Sequence, residues 1–105
     1  MKIIYMGTPD FAVPELKALA NSEHEVCAVF TQPDKPRGRK MIMTPPDVKV
    51  CAEKLNIPVY QPETFKDGKP LEIINKYNPD VIVVAAYGKI LPKSAPESAK
   101  YGWIK

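Results

Sequence analysis

Four short apolar runs alternate along this chain with stretches whose apolar residues recur at helical spacing. The runs are Lys2-Ile-Ile-Tyr-Met6, Glu25-Val-Cys-Ala-Val-Phe30, Ile57-Pro-Val-Tyr60 and Asp80-Val-Ile-Val-Val-Ala85, the last being the strongest. Continuous apolar runs are how strands read when both sheet faces are covered. Between them lie Phe11, Val13, Leu16, Leu19 and Ala20, then Val48, Cys51, Ala52 and Leu55, then Leu71, Ile74 and Tyr77. Strands joined by helix-length crossovers pair in parallel with right-handed connections. The expected fold is therefore α/β: a three-layer, Rossmann-like, mostly parallel sheet with helices on both faces. Tyr101-Gly-Trp-Ile104 reads as the opening of a fifth strand that stops at Lys105. Residues 1–105 are accordingly expected to form one partial, truncated domain.

Local signals set the boundaries. Thr8 or Asp10 is expected to cap the first helix, which ends near Asn21. Pro46 and Asp47 open the second, and Asn78-Pro79 stops the third. Residues 31–46, polar and rich in proline, read as a long loop. The chain holds 12 prolines against 5 glycines, clustered between the apolar runs, which predicts ordered, stiff connections.

Composition narrows the function classes. A chain of 105 residues has room for one core, and 45% hydrophobic with 26% charged residues is the balance of a folded globular protein. The longest apolar stretch, residues 81–87, is far short of the roughly 20 residues that cross a bilayer. No secretory signal precedes Gly7, so no membrane partner and a cytoplasmic location are expected. Cys27 and Cys51 have no second pair and there is a single histidine, so neither a zinc site nor a disulfide scaffold is indicated.

In open parallel sheets ligands bind beyond the carboxyl ends of the strands, which singles out three segments. Gly7-Thr-Pro-Asp10 brings backbone close to a ligand at a helix start, although a purely structural turn fits equally well, and it lacks the glycines of a dinucleotide site. Residues 31–46 contain Lys35, Arg37, Arg39 and Lys40, four cations in six residues, suited either to a phosphate backbone or to plain solvation. Ala85-Ala-Tyr-Gly-Lys-Ile-Leu-Pro92 mixes small and apolar residues in a way that suits a flat heterocycle or an ordinary packed turn. His24 falls before the second strand, at the opposite end of the sheet.

Taken together, Gly7-Thr-Pro-Asp-Phe-Ala-Val-Pro14, Phe30-Thr-Gln-Pro-Asp34, Gly38-Arg39, Pro58-Val-Tyr-Gln-Pro62 and Ala85-Ala-Tyr-Gly-Lys-Ile-Leu-Pro92 closely resemble the methionyl-tRNA formyltransferases over the whole length. The resemblance implies the formyltransferase fold and formyl transfer from 10-formyltetrahydrofolate to the amino group of methionyl initiator tRNA. It places Arg39, helped by Arg37 and Lys40, against the tRNA acceptor stem. It places Gly7 and Phe11 at the methionyl pocket, and Ala86, Tyr87, Gly88, Ile90 and Leu91 at the folate. The basic segment departs from the family after Arg39, where Lys40-Met-Ile-Met43 replaces a further glycine and lysines. Lys105 stands at the position of the asparagine in the family's Asn-x-His-x-Ser-Leu-Leu-Pro motif. The resemblance thus implies that the catalytic Asn, His and Asp, and a C-terminal barrel, are outside these residues, and that this part alone is inactive; no metal is implied. Two other readings remain open. One is a sugar-nucleotide formyltransferase, against which residues 35–40 argue; the other is a non-catalytic interaction module that covers its open sheet edge by self-association.

Overall fold

The computed structural model describes residues 1–88 and 99–104. The strands are β1 (Lys2–Gly7), β2 (Glu25–Phe30), β3 (Lys35–Arg37), β4 (Ile42–Thr44), β5 (Val59–Tyr60), β6 (Val81–Ala85) and β7 (Trp103–Ile104). The α-helices are α1 (Val13–Ala20), α2 (Asp47–Lys54) and α3 (Lys69–Tyr77), with a 3-10 turn at Asp10–Ala12 ahead of α1. Five strands form a parallel sheet in the order β5-β2-β1-β6-β7. The expected fifth strand exists, pairing Trp103 with Ile82 and Ile104 with Val83.

Alternation in β1 sends side chains to both faces of the one sheet. Ile4 and Met6 join Ala28, Phe30, Phe65, Ile74 and Ile82 on the face covered by α3, while Tyr5 joins Leu16, Val29, Val48 and Ala52 under α1 and α2. The three layers expected from the sequence are thus present. The register slips between Ile3 and Ile4, which pair with Val26 and Ala28. Cys27 is the extra residue of this bulge, and it shares a face with its neighbour Ala28. Both cysteines are free and buried.

Two expectations fail at the first helix. Neither Thr8 nor Asp10 caps it: no side-chain cap bond is present, and the helix instead begins at Val13 straight after the 3-10 turn, with Pro14 in its first turn. That turn also shifts Phe11 out of the α-helical phase, leaving it 72% exposed, whereas Ala12 and Leu16 are buried. A third correction concerns residues 31–46. They are not a plain loop but carry an antiparallel hairpin in which β3 pairs with β4, Lys35 opposite Thr44 and Arg37 opposite Ile42.

At the sheet's outer side, the Tyr60 and Tyr77 hydroxyls lie 2.6 Å apart, and that hydrogen bond, with burial, pushes the Tyr77 hydroxyl up to about 12. The raised value means the folded state favours the neutral phenol. The stabilisation should be intact below the unfolded tyrosine value of about 10 and be lost as pH climbs through the folded one. An absorbance titration near 295 nm should show several late-ionising tyrosines, of which Tyr60→Phe brings one, Tyr77, back toward the ordinary value; a titration in which that substitution moves no late-ionising group would contradict the assignment.

Candidate functional site

β1, β2 and β6 run in the same direction, so the segments that follow them leave the sheet on one rim. Gly7, the last residue of β1, pairs with Ala85, the last residue of β6. A Cβ on Gly7 would stand 2.9 Å from the Ala85 carbonyl and 3.0 Å from the Tyr5 ring, so only glycine lets the two strand ends lie this close. The Tyr5 hydroxyl donates to the Ala12 carbonyl at 2.8 Å and ties the 3-10 turn down beside them.

Thr8 joins the three segments. Its hydroxyl donates to the Tyr87 carbonyl at 2.9 Å and accepts from the Gln32 amide at 3.3 Å, while its carbonyl accepts from the Val48 amide at 3.4 Å. The hydroxyl that local pattern suggested as a helix cap is therefore spent on long-range contacts. Thr8→Val keeps the shape but removes the donor to Tyr87 and leaves the Gln32 amide unpaired. It is expected to cost about 1–2 kcal/mol, read as a lower denaturant midpoint at an unchanged slope; a midpoint equal to that of the parent chain would contradict the role given to Thr8.

Beyond β6 the chain turns sharply. Ala86 has φ +54° and Gly88 φ +87°, so two residues sit in the left-handed region that favours glycine. The turn leaves Ala86 and Gly88 exposed and swings the Tyr87 ring inward. There it is 2% exposed and packs edge-on against Phe65 at 6.1 Å. Its hydroxyl has no hydrogen-bond partner among the described residues, and burial pushes its ionisation up. Tyr87 thus presents backbone, not ring, to the rim. Gly88 lies against Gln32, whose amide nitrogen would be 2.6 Å from an added Cβ. Ile90, Leu91 and Lys105 fall outside the described residues.

From the same rim rises the β3–β4 hairpin. Lys35, Arg37, Arg39 and Lys40 are all exposed, as are Met41, Ile42 and Met43 near the turn. Among the described residues none of the four cations makes an ion pair. At the hairpin's foot, Asp34 accepts from Gln61 at 2.6 Å and from Lys49 at 3.2 Å. The Gln61 hydrogen bond first, and Lys49 second, hold its carboxyl below the usual range. Nothing in the sequence pattern pointed to this trio, whose members are up to 27 positions apart.

The structure therefore brings Gly7, Ala86, Tyr87 and Gly88 together with the root of the hairpin that carries Arg37, Arg39 and Lys40. Phe11 is exposed on the turn directly after Gly7. His24 accepts the Met1 amine at Nδ1, 2.8 Å away, beside the start of β2 at the opposite end of the sheet. Among the described residues no group of three or more His, Cys, Asp or Glu is placed to hold a metal, and no helix is long and apolar enough to cross a membrane.

Comparison with known proteins meets this geometry. A family model described as formyl transferase matches residues 1–104. The methionyl-tRNA formyltransferase of Pelotomaculum thermopropionicum is 53% identical over 104 residues, covering 99% of this chain and 33% of that protein. That of Sulfurihydrogenibium sp. is 56% identical over 105 residues, covering 99% and 34%. The chain thus spans about a third of the length of the curated relatives it matches. Among solved structures, phosphoribosylglycinamide formyltransferase from Anaplasma phagocytophilum superposes with a TM-score of 0.69 at 13% identity, over 98% of this chain and 47% of that one, a likeness of fold alone.

Proposed function

This chain belongs to the formyl transferase family, and on that footing we propose that it supplies the substrate-binding rim for formyl transfer from 10-formyltetrahydrofolate to the amino group of methionyl initiator tRNA. The observation that carries the reading is the joining of all three rim segments through Thr8, with a basic hairpin rooted beside them. In the proposed division of labour Arg39 meets the acceptor stem, with Arg37 and Lys40 beside it. Gly7 and Phe11 face the methionyl end. Ala86, the Tyr87 backbone and Gly88, with Ile90 and Leu91, border the pterin ring of the donor.

These residues suit such partners physically. A flat heterocycle needs a surface flush with backbone, and exposed Ala86 and Gly88 beside Cβ-less Gly7 provide one. Acyl transfer to an amine also needs donors for an oxyanion and a base to take the proton. The only imidazole in the sequence is at the far end of the sheet, engaged with the Met1 amine. We therefore assign binding, not proton transfer, to residues 1–105.

Two assays test the reading. A filter-binding titration of methionyl initiator tRNA should give log affinity falling linearly with log salt concentration; flat curves would refute the assignment. A formylation assay with the folate donor should show no turnover by these 105 residues alone; turnover would overturn the division between binding and chemistry.

A further inference from the structure

The hairpin has no core of its own: Lys35, Pro36, Arg37, Ile42 and Met43 are exposed, and a lone two-stranded ribbon is marginal in water. What fixes its direction must act at its foot. On the exit side this is Pro45-Pro46, which is stiff by composition, and Pro46 is buried. On the entry side it is a set of side-chain bonds. The Gln61 amide donates both to the Gln32 carbonyl at 3.1 Å and to Asp34 at 2.6 Å, while Lys49 reaches Asp34 from α2 at 3.2 Å.

We infer that Gln61 and Lys49 are positioning residues which, by gripping Asp34 directly before β3, set the angle at which the cationic hairpin leaves the rim and so preset it for an RNA stem. The inference rests on the proposed reading of the hairpin as an RNA contact. The grip has a second consequence. Asp34 adjoins Lys35, and a free carboxylate there would compete with phosphate for the hairpin's cations. Bound to Lys49 and Gln61, it is withheld, and among the described residues the four cations make no ion pair. Preorganisation of this kind raises affinity by removing the ordering cost at binding, without adding a phosphate contact.

The test separates direction from charge. Met43 is 59% exposed, whereas Cys27 and Cys51 are 8% and 7% exposed. A Met43→Cys background of the full 105-residue chain can therefore carry one dye on the hairpin. In this background Gln61→Leu, and separately Lys49→Met in case the first variant fails to fold, should add a fast nanosecond component to the anisotropy decay. With an initiator-tRNA acceptor-stem duplex as probe, Gln61→Leu should weaken binding about five- to tenfold at every salt concentration while the salt slope stays unchanged. An anisotropy decay unchanged in both variants would overturn the inference, as would a Gln61→Leu slope lowered by about one, the signature of a lost phosphate contact. If the parent chain does not bind the duplex, the RNA reading itself falls, and the inference falls with it as a statement about RNA; the anisotropy decay then decides separately whether the grip orients the hairpin.

Discussion

Gly7→Val should lower the thermal midpoint by about 10–20 °C, corresponding to about 2–3 kcal/mol of overpacking in a domain of this size. The reason is space, not backbone conformation. The first carbon of any side chain would meet the Ala85 carbonyl at 2.9 Å, the Tyr5 ring at 3.0 Å and the Ala12 Cβ at 3.2 Å. Two of these belong to elements fixed by other bonds: Ala85 by its pairing with Gly7 in the parallel ladder, Ala12 by the Tyr5 hydroxyl. The structure can relieve the clash only by parting β1 from β6 where the rim segments begin. Stability and the shape of the rim should fail together. A Gly7→Val variant that melts with the parent chain would show that the strand ends are not packed as described.

Removing Arg37, Arg39 and Lys40 together, each to alanine, should weaken binding of methionyl initiator tRNA by about a hundredfold at low salt and reduce the salt slope by about two to three. The melting curve should hardly move, because these side chains are exposed and make no ion pair among the described residues. That combination distinguishes a phosphate-binding ribbon from a merely solvated one. If affinity fell with no change in slope, the cations would be acting through the fold and not through phosphate. If nothing changed, the hairpin would be a surface ornament.

Much of this architecture was legible because it follows from burial. Runs such as Val81–Ala85, covered on both sides, have no alternative to a central parallel strand, and the helix-length spacers impose the crossovers. What escaped the sequence was decided by contacts between distant residues. The β3–β4 hairpin shows no alternating apolar pattern, carries Pro36 inside a strand, and turns through Gly38 and Met41 at positive φ, so no periodic signal marks it. Thr8 looked like a cap because local pattern cannot show that its hydroxyl is committed to Tyr87 and Gln32. Phe11 fitted a helical stripe until the 3-10 turn rotated it outward.

The site was legible at the level of segments and less so at the level of atoms. Reading ligand loops at the carboxyl ends of strands picked out three segments that do share one rim, since parallel strands send their following segments the same way. The segment after β6 was legible as a mix of small and apolar residues, but not that Ala86 in the left-handed region directs the Tyr87 ring into the core and leaves its backbone outside. The Asp34, Gln61 and Lys49 trio gave no sequence signal, because each residue is unremarkable on its own and they meet only through the fold.

The most direct measurement is amide hydrogen exchange on the 105-residue chain with and without methionyl initiator tRNA. Exchange should slow together at Gly7, Thr8 and Phe11, along the hairpin of Lys35–Arg37 and Ile42–Thr44, and at Ala86 to Gly88, with His24 and Asn78 at the other end unaffected. Protection confined to the far end, or spread evenly over both ends, would contradict a single binding rim.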